Sequence, residues 1–202
     1  HAPATDRTRM ENQIPHWLFA MKDTLAENVA RSLALIVAHP FAEQQVRQEM
    51  AEADLASPAG VDRLTYLEGC VQEAMRLWPT TPLLAREMVV PDVLGDTVVP
   101  AGTQVLVLNG FNHRDDESLT SADTFVPDRW QGHPIDYRFN HLSNGPQVCA
   151  GKSLALFIAK AVLATLLSQN RYTLVRPTLD PNKPLPHAYN YYRLLLSRTA
   201  LG

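Results

Sequence analysis

NHLSNGPQVCAGKSLALF, residues 140–157, sets one cysteine, Cys149, between a Gly-Pro turn and an apolar run of helical character. Four uses fit such a sulfur: an inert buried thiol, half of a disulfide, a nucleophile or a metal ligand. Gly145 and Gly151 leave the backbone on either side free to approach the sulfur and aim amides at it. The start of a helix also favours a thiolate. Free cysteines are nonetheless among the most buried residues, so residue type by itself favours the inert thiol.

The rest of the chain narrows the choice. Its 202 residues are 46% hydrophobic and 19% charged, with a formal net charge of -3. That is the composition of a globular protein of one large domain, able to bury a core without covalent staples. Lys and Arg are scattered, which gives no sign of a nucleic-acid partner. Two cysteines, Cys70 and Cys149, are too few for a secreted disulfide framework and suit a reducing cytosol. A zinc site needs several ligands, and neither His133 nor His141 stands at a ligand spacing from Cys149. No apolar run approaches the roughly 18 residues that cross a bilayer. The start, HAPATDRTRMENQ, has neither the basic flank nor the apolar core of a signal peptide. It also lacks an initiator Met, and we expect a chain that begins mid-protein.

Upstream, the chain reads as helical. Residues 14–38 carry Leu18, Leu25, Val29, Leu33 and Ile36 at the spacing of a buried helical stripe, with Pro15 in the first turn and His39-Pro40 as the stop. FAEQQVRQEMAEADL, 41–55, predicts a surface helix. TYLEGCVQEAMRLW, 65–78, predicts a third, opened by a Thr65–Glu68 capping box and ended by Pro79. From there REMVV, DTVV and QVLVLN around a PAGT turn predict short antiparallel strands. Residues 111–148 are polar, rich in Pro and Gly and without periodicity; a stretch of that length inside a domain is usually functional. An apolar helix over 152–169 follows. YTLV (172–175) and YNYYRLLL (189–196) predict a closing hairpin. The fold class is mainly α with small antiparallel β-sheets, α+β.

Three further motifs carry chemistry. Glu73 and Arg76, in EAMR, share a helical face and in isolation describe a weak surface pair. FVPDRW, 125–130, adds Arg129 in a stiff loop, where a guanidinium can be held against a carboxylate. Asp23 and Thr24 sit mid-helix, where such residues form helix poorly; they describe either a solvated flank or an acid–alcohol pair that handles protons at a cavity.

Taken in this order, FAMKDT (19–24), EAMR (73–76), FVPDRW and LSNGPQVCAG (142–151) resemble the signatures of one family, the cytochromes P-450, which are heme-thiolate monooxygenases. The resemblance runs from about residue 14 to the end. It implies that Cys149 is the thiolate ligand of the iron of heme b, iron protoporphyrin IX. It implies that Glu73, Arg76 and Arg129 form a structural ion triad, and that Arg86, Gln147 and His141 serve the heme propionates. Gly145, Gly151 and Leu142 would shape the heme loop, and Ala20, Asp23 and Thr24 would serve the oxygen side. The sequence departs from the family pattern at Leu142, where the loop usually has Phe; at Gln147, usually Arg; at Met21, usually Gly; and at Leu25, usually Thr.

Family members are about twice this length, so the resemblance implies that residues 1–202 are the C-terminal, heme-binding part of a single P-450 domain. The N-terminal half of the same protein would be a structural partner. The implied function is oxygen insertion into a small apolar substrate, with two electrons from a ferredoxin or other electron-donor protein. The alternative is a non-catalytic heme-thiolate protein or inactive fragment. Compact loops suggest a soluble, cytoplasmic protein of bacterial type, with a membrane anchor open for the part not seen.

Overall fold

The computed structural model describes residues 9–132 and 137–201. Helix α1, Ile14–Ala38, is followed after His39 by α2, Pro40–Glu52, whose first residue is Pro40. The proline that stops one helix therefore starts the next, because its fixed φ suits a first turn and its missing N–H is not needed there. A short α3, Pro58–Asp62, is capped by Ser57, whose hydroxyl accepts from Gly60 N at 3.0 Å. It leads into α4, Thr65–Leu77.

Three antiparallel pairs follow the helices. β1, Leu83–Glu87, pairs with β4, Gln104–Leu108; β2, Asp92–Leu94, pairs with β3, Thr97–Val99; and β5, Asn170–Arg176, pairs with β6, Leu195–Ala200. Between β4 and β5 lie α5, Asn109–Asn112, a largely irregular stretch, and α6, Lys152–Gln169. Within that stretch residues 133–136, and with them His133, lie outside the described residues.

One core joins α1, α2, α4 and α6. Leu33, Leu35 and Ile36 of α1, Val46 and Met50 of α2, Leu67, Val71 and Ala74 of α4, and Leu156, Leu163 and Leu167 of α6 are buried together. Each buried Leu stabilises by about 1.5–3 kcal/mol, and truncating one to Ala costs about 2–5 kcal/mol once the cavity is counted.

Several expectations are corrected. The apolar stripe of α1 is buried only in its second half: Leu18 and Phe19 are 65% and 81% exposed, and no described residue covers them. The capping box of α4 does not form. Thr65 is already helical, and the free amides of Tyr66 and Leu67 donate instead to the Glu49 carboxylate of α2 at 2.7 and 2.9 Å. Glu68 is taken by Lys160 of α6, 2.8 Å away. A carboxylate from a neighbouring helix satisfies the N-terminal donors better than a local hydroxyl.

The first strand starts at Leu83, ahead of REMVV, because Leu83 through Glu87 find partners in β4. In the last hairpin Tyr191–Arg193 form a 3-10 turn, since the Asn190 side chain accepts from Tyr192 N at 3.1 Å and draws the backbone out of the ladder. The second strand begins at Leu195. α6 is, by length and composition, apolar enough to cross a membrane, contrary to the sequence expectation. Here it packs into the core and carries the buried Lys160 at its centre.

Candidate functional site

The ion triad is assembled by α4 and the 3-10 turn Pro127–Trp130. Gly69 of α4 lets them meet, for a Cβ there would lie 2.7 Å from the Pro127 carbonyl oxygen. Glu73 and Arg76 are both 0% exposed, so the surface-pair description does not apply. Arg76 grips the carboxylate with two donors, Nε to Oε2 at 2.9 Å and Nη2 to Oε1 at 2.7 Å. Its remaining donors go to the carbonyls of His113 at 2.6 Å, Ala122 at 2.7 Å and Thr124 at 3.1 Å. Arg129 Nε is 3.5 Å from Glu73 Oε1, and its Nη2 donates to the carbonyls of Thr120 and Ser121.

Two partners of Glu73 are not evident in the sequence. Trp130 Nε1 donates at 2.9 Å and Val126 N at 3.1 Å. The carboxylate is thus surrounded by donors, which offset the cost of taking its charge out of water. The aromatic that closes FVPDRW was the available signal for Trp130.

The Cys149 loop is tied to itself. Gly145 sits at φ +63°, a left-handed conformation that glycine adopts without cost, and opens the 3-10 turn Gly145–Gln147. Val148 N donates to Gly145 O at 3.1 Å, and Cys149 N donates back across the loop to Leu142 O at 2.8 Å. The Cys149 carbonyl accepts from Lys152 N at 3.1 Å, joining the loop to α6. Asn144 Nδ2 donates to Phe139 O at 3.0 Å and to Asn140 Oδ1 at 2.9 Å.

Cys149 is a free, exposed thiol, whereas Cys70 is buried in α4, where burial pushes its pKa well up. Only one of the two is therefore available for chemistry. Among the described residues no group of three or more His, Cys, Asp or Glu side chains is arranged to hold a metal ion.

The thiol opens on a cavity of about 850 Å³ between α1 and the loop. That volume lies within the roughly 300–1,000 Å³ of ligand and cofactor sites. One wall is Trp17, Ala20, Met21, Thr24, Leu25 and Asn28; the facing wall is His141, Leu142, Cys149, Gly151 and the start of α6, with Met75 between them. Ala20, Thr24, His141, Leu142, Cys149 and Gly151 are thereby brought together. Asp23 is exposed on α1 and does not line the cavity. Neither do Gly145 and Gln147, which form the turn, nor Arg86 on β1, whose guanidinium donates to Ala85 O at 2.9 Å. A second cavity, about 920 Å³, lies behind the loop against Arg129, Trp130, Phe139 and Lys152. It contains no thiol, and the cavity facing Cys149 is the better candidate for chemistry.

Thr24 Oγ donates to Ala20 O at 2.8 Å, Asn28 Nδ2 to Thr24 O at 2.9 Å and Ser32 Oγ to Asn28 O at 2.7 Å. The Thr24 proton is thus spent on the helix, which leaves its oxygen as an acceptor towards the cavity. His141 lies edge-on to Trp130 and His113, at 5.1 and 5.9 Å between ring centroids. Burial first, then the fields of His113, Lys152 and Arg76, push its pKa down to about 3. At neutral pH it offers a hydrogen bond and no charge. His113 is pushed down to about 4, chiefly by burial. A lone histidine in an aperiodic segment carried no sequence signal.

A family model described as Cytochrome P450 matches residues 4–189. The chain is 32% identical over 171 residues to "Cytochrome P450 4c3" of Drosophila melanogaster, covering 78% of this chain and 31% of that protein. It is 32% identical over 162 residues to "Cytochrome P450 67" of Uromyces fabae, covering 72% and 30%. It is 30% identical over 165 residues to "Cytokinin hydroxylase" of Arabidopsis thaliana, covering 78% and 32%. The chain spans about a third of the length of these curated relatives. The bacterial type expected from the compact loops has no counterpart among these matches.

Proposed function

The chain belongs to the cytochrome P450 family, and from that premise we propose that residues 1–202 are the C-terminal, heme-binding part of a heme-thiolate monooxygenase. The observation that carries this reading is the exposed Cys149 thiol on one wall of a cavity whose other wall holds Ala20 and Thr24. The residues fit the group: a soft sulfur ligand, a largely apolar lining, and a loop tied from Leu142 O to Cys149 N that holds the sulfur in place. When bound, heme b with a thiolate ligand supplies dioxygen activation favoured by electron donation from sulfur.

The protein's own residues would then divide the work. Cys149 holds the iron, while Leu142 and Gly151 pack beside the sulfur and Gly145 makes the turn. Gln147, Arg86 and His141 are the candidates for the propionates, with Arg86 supplying the positive charge that Gln147 and neutral His141 lack. Thr24, whose hydroxyl proton is engaged by Ala20 O, accepts from a cavity water and keeps it near the reacting centre. Asp23, exposed one position earlier, takes protons from solvent for that water. Ala20 leaves room beside the helix. The triad of Glu73, Arg76 and Arg129 holds the loop side of the core and touches no substrate.

The substrate would be a small apolar molecule and the electrons would come from a donor protein, a ferredoxin being one class. The relatives' length supports a longer N-terminal part that covers Leu18 and Phe19 and completes the cavity. A second reading, heme binding without turnover, is supported by Met21 and Leu25 in the helix that lines the cavity.

The test is the absorption spectrum of the reduced, carbon-monoxide-bound, heme-loaded protein. A long-wavelength thiolate-type Soret band that is lost in Cys149→Ser is expected. Its absence from the heme-loaded wild type would refute thiolate ligation.

A further inference from the structure

His113 belongs to neither cavity, yet it is fully buried between α4 and the root of the Cys149 loop. Its Nε2 accepts from the backbone N–H of Asn140 at 2.8 Å, and its Nδ1 lies 3.2 Å from the Arg76 carbonyl oxygen. One tautomer serves both contacts, with the proton on Nδ1. The other would set two hydrogens against each other at Asn140 and two lone pairs against each other at Arg76. Arg76 in turn donates Nη1 to the His113 carbonyl at 2.6 Å, so the two residues hold each other twice.

From Asn140 the ties run on into the loop. Asn140 O accepts from Ser143 N at 2.9 Å, its Oδ1 accepts from Asn144 Nδ2, and Leu142 O accepts from Cys149 N. Among the described residues the other tie from the core to Asn140 is Asn109 Nδ2 to Asn140 O, at 3.5 Å and thus weak. We propose that His113 is a positioning residue for Cys149. It transmits the rigid placement of the buried Glu73–Arg76 pair to the thiol-bearing loop through a single acceptor, Nε2, at Asn140. The inference rests on the reading of Cys149 as a ligand only where the position of the sulfur is read out through heme.

Two substitutions separate the bonds. In His113→Gln the Oε1 atom is as many bonds from Cα as Nε2 and keeps an acceptor for Asn140. In His113→Asn the Nδ2 atom replaces Nδ1, keeping the donor to Arg76 and losing that acceptor. Hydrogen exchange of the Asn140 amide, measured in the full chain without heme, should quicken about tenfold or more in His113→Asn and by about threefold or less in His113→Gln. In the heme-loaded protein, His113→Asn should lower the thiolate-type fraction of the carbon-monoxide spectrum, with recovery in His113→Gln. Equal exchange at Asn140 in the two variants would overturn the proposal.

The unmodified chain gives a check that needs no variant. Long-range proton–nitrogen correlations must place the His113 proton on Nδ1, and a proton on Nε2 would overturn the proposal. A wild type that lacks the thiolate band while its Asn140 exchange follows the expected order would count against Cys149 ligation and not against the strut.

Discussion

Replacing Glu73 by Gln keeps the shape of the side chain and removes its charge, which leaves Arg76 buried and Arg129 half-buried without a counter-ion. Four donors from three residues converge on that carboxylate, Arg76 Nε and Nη2, Trp130 Nε1 and the Val126 amide, and Arg129 Nε adds an ion-pair contact at 3.5 Å. Breaking a buried pair from one side costs about 3–5 kcal/mol, because the remaining charge keeps its desolvation penalty. The exposed pair that EAMR suggests in isolation would cost at most about 1 kcal/mol. With a urea dependence of roughly 2 kcal/mol per M, the larger figure moves the midpoint by about 2 M. Total stability is about 5–15 kcal/mol, so that is a large part of the whole. Glu73→Ala should be worse still, since Trp130 and Val126 bond to different oxygens and both lose their acceptor, at about 1–3 kcal/mol each, whereas the Gln oxygen still serves one of them. Urea unfolding followed by the fluorescence of Trp17, Trp78 and Trp130 measures the change. Asp180→Asn, at the exposed Lys183–Asp180 pair, is the internal control and should not shift measurably. A Glu73→Gln shift no larger than the control would refute the account of the triad as a buried clamp.

Acid should destabilise the fold through His113. Its folded pKa of about 4 lies below the ordinary 6.5, so between those values the unfolded chain binds more protons and stability falls as pH drops. The loss for His113 is on the order of 3 kcal/mol by about pH 4, and His141, pushed down to about 3, acts in the same direction. Urea midpoints measured from pH 7 to 4.5 should fall and should fall less in His113→Gln; a flat profile would contradict the buried neutral ring. Gly145→Ala meets no atom within 4 Å, so its cost is that of the left-handed backbone alone, about 1–2 kcal/mol. It should appear as a lower urea midpoint and a smaller thiolate-type spectral fraction, and an unchanged midpoint would mean that the loop relaxes freely. In the complete enzyme, Thr24→Ala should raise the ratio of peroxide released to product formed while electrons are still consumed. An unchanged ratio would remove Thr24 from proton handling.

Much of the fold was legible because its signals are local. The 3.6-residue stripe of α1, the His39-Pro40 break, the apolar run of α6 and the alternation of β4 all act within a few residues of themselves, and each element appeared near its expected place. The errors share one cause. Thr65 and Glu68 spell a capping box, but Glu49 and Lys160, far away in the chain, offered those groups better partners. Leu18 completes a helical stripe, but a stripe is buried only where something packs over it, and that is a property of neighbours.

The candidate site divides along the same line. The sequence by itself determined the types and order of the chemistry-bearing residues: the thiol of Cys149 before a helix, the carboxylate and guanidinium of Glu73 and Arg76 one turn apart, and the hydroxyl of Thr24 within an apolar helix. Order and spacing along the chain were enough to link them to one family. Only the tertiary structure decided that Glu73 also accepts from Trp130 and Val126, that Cys149 and Thr24 share a cavity which Asp23 and Arg86 do not line, and that His113 joins α4 to the loop. The physical reason is that a buried polar group must find its partners wherever the packed chain brings them, and sequence separation does not limit that choice.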